Sequence, residues 1–91
     1  MSEQARRERL AVIIQTPERI IWEGEADAVS SQNAAGPFDI LPEHANLITL
    51  IERVPIVVLT GKATQQYSFD RALLHAADGN VTVYGDIAEN A

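Results

Sequence analysis

The sequence predicts an all-β fold, a β-sandwich of about nine to ten short and mostly antiparallel strands. Its apolar segments are short and rich in β-branched residues, which favours strands over helices. Turn residues separate these segments at spacings near ten residues, as is typical of a sandwich or barrel. Because 91 residues leave room for one core only, we expect a single domain over residues 10–91, behind a flexible charged head formed by residues 1–9.

The first half of the chain contains five of the predicted strands. Residues 10–16 are apolar and end at Pro17, which cannot continue a central ladder. Residues 17–19 then predict a tight hairpin connection. Further strands are predicted at residues 20–23, 26–30, 38–41 and 47–51, with loops at residues 31–36 and 42–46.

The second half predicts four more strands, at residues 56–59, 65–69, 72–76 and 81–84. Pro55 and Gly61 mark the turns on either side of the first of them. The sequence Asp78-Gly79-Asn80 is a strong hairpin signal, because these residues accept the positive φ that such turns require. Helical turns are expected only at residues 1–9 and at the extreme C-terminus.

The charge balance excludes several classes of function. The chain has 7 basic and 13 acidic residues, a formal net charge of −6, and phosphate backbones repel such a surface, so no nucleic-acid partner is expected. With no cysteine, disulfides and thiolate chemistry are excluded. No apolar run approaches the ~20 residues needed to span a bilayer. We therefore expect a soluble cytoplasmic protein.

Candidates for chemistry are few. His44 lies near Asp39 and Glu43, but the loop lacks the paired histidines that usually anchor a metal site. None of the serines lies in a Gly-x-Ser-x-Gly elbow, and no glycine-rich phosphate loop is present. The sequence therefore predicts no catalytic, cofactor-binding or metal-binding residue, and a protein that is not an enzyme.

Residues 36–47 contain the most specific pattern of the chain, Gly-Pro-Phe-Asp-Ile-Leu-Pro-Glu-His-Ala-Asn-Leu. It resembles the G-x-x-G-I-L-P-x-H-A-P-L signature of the epsilon subunit of rotary ATP synthases. Residues 21–26 are similar to the aromatic-x-Gly-x-Ala hairpin of that family, and residues 78–89 to its closing hairpin and the segment that follows. The resemblance covers about residues 10–89, nearly the whole chain.

The resemblance implies the ten-strand N-terminal β-sandwich domain of the epsilon subunit, which is a non-catalytic part of the central stalk. In that family the domain packs against the gamma subunit, and its lower loops sit on the c-ring. It would couple rotation to proton flow and ATP synthesis. The implied location is peripheral, on the cytoplasmic face of the membrane, with attachment only through the complex.

With this resemblance, we expect the loop of residues 36–46 and the neighbouring strands to form the docking surface. Pro42 and His44 could equally be structural residues that stiffen the turn. Trp22 is either a core residue or a partner anchor, and the apolar residues before it favour the core. The candidate interface residues are Phe38, Asp39, Leu41, Pro42, His44 and Ala45.

Departures from the family pattern suggest an alternative function. Pro37 replaces an acidic residue that contacts the c-ring in the family, Asn46 replaces a proline, and Asp39 replaces a glycine. Asp39 therefore predicts a different turn or a β conformation. The alternative is an epsilon-like interaction module that has lost the rotor role. The sequence stops at Ala91, where the family's C-terminal helices would begin. It is either a naturally short epsilon-like protein or a trimmed domain, and in both cases inhibition by such helices is not assigned to it.

Overall fold

The computed structural model describes residues 9–42 and 46–87. In these two ranges the chain forms nine strands and no helix, which confirms the all-β prediction. The expected helical turns lie almost wholly outside the described residues. The strands are β1 (Leu10–Gln15), β2 (Ile20–Ala26), β3 (Ala28–Asn33), β4 (Gly36–Ile40), β5 (Leu47–Ile51), β6 (Ile56–Thr60), β7 (Ala63–Tyr67), β8 (Ala72–Ala77) and β9 (Asn80–Gly85).

The strands form two sheets. The five-stranded sheet has the order β2-β1-β9-β8-β5, and the four-stranded sheet has the order β4-β3-β6-β7. Neighbouring strands are antiparallel except β1 and β9, which are parallel. The first and last strands of the described residues, β1 and β9, are therefore neighbours inside the larger sheet, and neither lies at its edge.

The core lies between the two sheets. Successive side chains of a strand point to opposite faces, so Leu10, Val12 and Ile14 of β1 are buried while Ala11 is exposed. Strand β6 contributes Ile56 and Val58 from the opposite sheet, both at 0% exposure. The other fully enclosed members of this cluster are Ala26, Val29, Ile40, Ile51, Ala72, Leu74, Ala76, Val81 and Val83.

Three of the predicted hairpins are confirmed. Residues 17–19 connect β1 to β2, and the Thr16 amide donates to the Arg19 carbonyl over 2.9 Å. Between β8 and β9, Asp78 and Gly79 have φ values of 52° and 81°. Gly61, at φ 62°, makes the turn between β6 and β7. The two turns that contain glycine lie where their residue types allow a left-handed backbone.

The predicted loop at residues 31–36 is wrong for its first three residues. Strand β3 continues to Asn33 because neighbouring groups hold this segment extended. The Ser31 hydroxyl donates to the Pro55 carbonyl over 3.0 Å. The Asn33 side-chain oxygen accepts from the Ala35 amide over 2.9 Å, which closes the turn. Strand β4 then begins at Gly36, earlier than the sequence predicted.

The predicted strand at residues 65–69 is also displaced, since β7 spans Ala63–Tyr67. Phe69 lies beyond the strand, and its ring covers Gly85. A Cβ atom on Gly85 would lie 2.5 Å from the ring. Trp22 covers Gly24 in the same way, with a closest approach of 2.9 Å. Both rings pack against the buried cluster, as the core interpretation of Trp22 expected.

Asp27 joins the two sheets at the bend between β2 and β3. Its carboxylate accepts from the Gly61 amide over 2.8 Å, and the Asp27 amide donates to the Leu59 carbonyl over 2.8 Å. Arg9, the described end of the predicted charged head, lies 3.2 Å from the same carboxylate. The connection after β2 is therefore fixed to the β6–β7 hairpin.

Candidate docking surface

Strand β4 places the predicted interface residues on two opposite faces. Phe38 is half-buried and packs against the core, whereas Asp39 is exposed. Asp39 lies opposite Ser30 of β3 and accepts a hydrogen bond of 2.6 Å from the Ser30 hydroxyl. The residue that replaces the family's glycine is thus in a β conformation, one of the two that the sequence allowed.

Beyond β4 the chain leaves the sheet. Leu41 is 52% exposed and Pro42 is half-buried. The predicted interface residues His44 and Ala45 lie outside the described residues. Asn46 accepts a hydrogen bond of 3.3 Å from the Asp78 amide, which links the end of this loop to the β8–β9 turn. Of the predicted interface residues, Asp39 and Leu41 are thus the described ones whose side chains are exposed.

A second surface, which the sequence did not reveal, lies on the outer face of the five-stranded sheet. Ile48 of β5 is 67% exposed, and Leu50, two residues later, is 37% exposed. In the strand register Leu50 lies opposite Leu73 of β8, which lies opposite Tyr84 of β9. Tyr84 is 40% exposed. We call Ile48, Leu50, Leu73 and Tyr84 the apolar face.

The same sheet becomes acidic towards β2. Glu23 and Glu25 are exposed on this edge strand and lie opposite Ile13 and Ala11 of β1. The Glu23 and Glu25 side chains flank an open groove of about 540 Å³, which also contacts Asn80 and Thr82. The outer face therefore has an apolar part over β5, β8 and β9 and an acidic border at β2.

The outer face of the four-stranded sheet has a different composition. One row of opposed residues crosses this sheet, with one residue on each strand: Asp39, Ser30, Val57 and Gln66. Strand β7 is polar and exposed along almost its whole length. Burial raises the pKa of the Tyr67 hydroxyl, at the end of this strand, above its usual value of 10.0.

The part of the chain that the structure describes has an exposed apolar patch but no cluster of metal-ligating side chains. Within residues 9–42 and 46–87, His, Asp and Glu side chains form no group of three or more that could hold a metal ion. No helix in these two ranges is long and apolar enough to span a membrane. Exposed apolar patches of several side chains typically mark interaction sites, and a surface tyrosine offers apolar area with a polar tip.

Comparison with known proteins identifies a family. The family described as ATP synthase, Delta/Epsilon chain, beta-sandwich domain matches residues 9–91. The ATP synthase epsilon chain of Desulforamulus reducens is 30% identical over 87 residues, which cover 96% of this chain. The epsilon chain of Brevibacillus brevis is 26% identical over 82 residues, or 89% of this chain. The aligned regions span only 64% and 62% of these two relatives.

Solved structures show the same fold. A chain of the Euglena gracilis mitochondrial ATP synthase, solved with its F1 part and c-ring, matches with a TM-score of 0.79 and 16% identity, over 87% of this chain and 51% of that one. A chain of the Tetrahymena thermophila central stalk and c-ring matches with a TM-score of 0.71 and 8% identity, over 87% and 64%. The chain described here belongs to the family of ATP synthase delta/epsilon chain β-sandwich domains.

Proposed function

We propose that this chain is a non-catalytic central-stalk subunit of a rotary ATP synthase, which docks on the gamma subunit and the c-ring. The observation that carries this proposal is the exposed apolar face on a domain of the delta/epsilon family. In this role the domain couples rotation to proton flow and ATP synthesis. It is then peripheral to the cytoplasmic face of the membrane, attached through the complex.

The apolar face is the proposed gamma contact. Ile48, Leu50 and Tyr84 hold apolar surface in water although each lies on a strand whose other side is buried. Burial of such area against a partner contributes about 25 cal/mol per Å² of apolar surface before the costs of association. Strand pairing already fixes the backbone of these residues, so the conformational entropy lost on binding is that of the side chains.

The loop of residues 36–46 is the proposed second contact, towards the c-ring. Phe38 holds β4 against the core, which leaves Asp39 and Leu41 facing outward. Pro42, His44 and Ala45 complete the proposed contact. The Asn46 hydrogen bond to the β8–β9 turn supports the far end of this loop.

Ile48→Asp tests the gamma contact. Ile48 is 67% exposed, so the charge leaves the core intact while it disrupts an apolar interface. We expect the affinity for purified gamma subunit, measured by titration calorimetry, to fall by at least about tenfold, which is about 1.4 kcal/mol. Gln32→Asp, an exposed position on the four-stranded sheet, is the matched control. Equal affinity of both variants and the wild type would reject the apolar face as the contact.

Leu41→Asp tests the loop contact. We expect tagged wild-type chain to recover both gamma and c subunits from detergent-solubilised membranes, and this variant to recover gamma with less c subunit. Mass spectrometry with labelled reference peptides measures the ratio. An unchanged ratio of c to gamma would show that this loop does not contact the c-ring.

A second candidate function is an interaction module without the rotor role. It is favoured by Pro37 and by Asp39, whose carboxylate is bonded within the sheet to Ser30 where the family pattern has glycine. Recovery of a different single partner in the same pull-down, with neither gamma nor c subunits, would support this module and reject the stalk subunit.

A further inference from the structure

His75 lies among the members of the apolar face. It is exposed on β8, directly opposite Ile48 of β5. Leu73 is two residues earlier on the same strand and therefore points to the same side of the sheet. Leu50 and Tyr84 lie opposite Leu73 on the two flanking strands, so they are the diagonal neighbours of His75. All four residues of the apolar face are thus neighbours of one imidazole.

The strands that flank His75 place no charge beside it. Strand β5 has the sequence Leu-Ile-Thr-Leu-Ile, and the β9 residue opposite His75 is Thr82. The titratable residue of β9 is Tyr84, and phenols are neutral at and below pH 7. Strand β8 itself has no other ionisable residue. These three strands therefore offer no counter-ion to a charged imidazole.

The nearest charged groups lie farther away. Glu23 belongs to the same row of opposed residues as His75 but lies three strands away, about 14 Å at the usual strand spacing. Asp78 lies in the turn, three residues after His75. Arg71, before β8, pairs with Glu52 over 3.2 Å. A positive charge on His75 would therefore be poorly compensated once an apolar partner surface covers it.

We propose that His75 makes the gamma contact sensitive to pH: the neutral imidazole is buried together with the apolar face, and its protonation weakens the contact. The proposal rests on the function proposed above, in which gamma covers this face. Histidine is the side chain whose charge ordinarily changes between about pH 5 and pH 8. Burial of an unpaired charge costs far more than burial of a neutral group, so the complex disfavours the proton. By linkage, the affinity is full at the upper end of this range and falls as the pH decreases.

Titration calorimetry with purified gamma subunit at two pH values tests the proposal. We expect the wild-type chain to bind at least about fivefold more weakly at about pH 5.5 than at about pH 7.5. Carboxylates mostly keep their charge over this range, because their pKa is ordinarily near 4. His75→Gln is polar and neutral at both pH values and is expected to bind alike at both. His44→Gln changes the other histidine of the chain and is expected to retain the wild-type ratio of affinities.

His75→Lys separates the charge from other effects of pH. Lysine is charged at both pH values, so this variant is expected to bind gamma at least about fivefold more weakly than His75→Gln at about pH 7.5. Equal affinity of these two variants would overturn the proposal. Because His75 is exposed, both substitutions leave the core intact, and circular dichroism at the two pH values checks the fold.

The outcomes separate the pH effect from the gamma contact itself. If Ile48→Asp weakens binding but the wild-type affinity is equal at both pH values, the contact stands and the pH effect is overturned. The same ratio in the wild type and in His75→Gln would assign the effect to another group and overturn the role of His75. Tighter wild-type binding at the lower pH would reverse the proposed direction and also overturn it. If Ile48→Asp binds gamma as the wild type does, the contact is rejected together with its pH dependence.

Discussion

The outer faces of the two sheets differ although their inner faces are alike. Both inner faces contribute fully buried aliphatic residues, such as Leu74 in the five-stranded sheet and Val58 in the four-stranded sheet. Outside, the larger sheet exposes Ile48 and Tyr84, while the smaller one exposes Gln66. The inner faces serve folding, which constrains them equally. The outer faces are not constrained in this way. The apolar one offers a partner more apolar surface to bury.

The largest effect on stability is expected in β5, which has one isoleucine in the core and one on the apolar face. Ile51 of β5 is 1% exposed and Ile48 is 67% exposed. Ile51→Ala is expected to lower the free energy of unfolding by about 2–5 kcal/mol, because it leaves a cavity in the core. Ile48→Ala is expected to change it by less than about 0.5 kcal/mol. Urea denaturation measures both.

Similar losses for the two variants would contradict the comparison, because they would mean that the apolar face already contributes to the isolated domain. A lower free energy of unfolding for Ile51→Ala alone would show that Ile48 is not needed for folding and is available for a partner. Because both substitutions remove the same atoms, each serves as the control for the other.

The next effect concerns the two glycines beneath aromatic rings on the inner face of the larger sheet. Gly85→Ala would place a methyl group 2.5 Å from the Phe69 ring, so the ring must move, at a cost of about 1–3 kcal/mol. Gly24→Ala, at 2.9 Å from Trp22, is expected to cost less. Thermal unfolding measures both, and adding Phe69→Leu to Gly85→Ala is expected to recover part of the loss. No recovery would show that the ring is not the obstacle.

A smaller effect tests the joint between the sheets. Asp27→Ala removes the acceptor of the Gly61 amide and is expected to lower the free energy of unfolding by about 1 kcal/mol. Arg9→Ala removes only the partly exposed ion pair and is expected to cost less than about 0.5 kcal/mol. Chemical denaturation compares them. Equal losses of stability in the two variants would show that the ion pair, rather than the hydrogen bond, accounts for the contribution of Asp27.

The smallest effect is expected on the polar outer face. Ser30→Ala removes the 2.6 Å hydrogen bond to Asp39, and water can replace it there because Asp39 is exposed. We expect a loss of about 0.5 kcal/mol, measured by urea denaturation. A loss above about 2 kcal/mol would show that this face also constrains the fold and would weaken the contrast with the apolar face.

Local signals predicted much of the fold. Asp78-Gly79 specified its hairpin because few residue pairs accept the backbone that the turn needs. Alternation and β-branching located the strands. The predicted ends of β3 and β7 were wrong, because contacts with residues distant in sequence determine where these strands end. The Pro55 carbonyl supports the extension of β3, and Phe69 lies beyond β7 with its ring over Gly85. Pro55 is distant in sequence from Ser31, and Gly85 is distant from Phe69.

The candidate site was less accessible to sequence reasoning. The motif at residues 36–47 is contiguous and was visible, although its interface role is still a proposal. The apolar face is assembled from β5, β8 and β9 by long-range pairing. Leu50 and Tyr84 become members of one surface only once the strand order and register are known, and no local pattern contains that information.

The parallel pairing of β1 and β9 has a mechanical consequence. Because the two strands point the same way, the start of β1 and the end of β9 lie at opposite ends of their shared ladder of five residue pairs. Tension applied between the start of β1 and the end of β9 therefore acts along the strands and loads the whole ladder at once in shear. An antiparallel pair in this position would open one bond at a time, like a zipper. A domain connected in this way resists being pulled apart by its own chain.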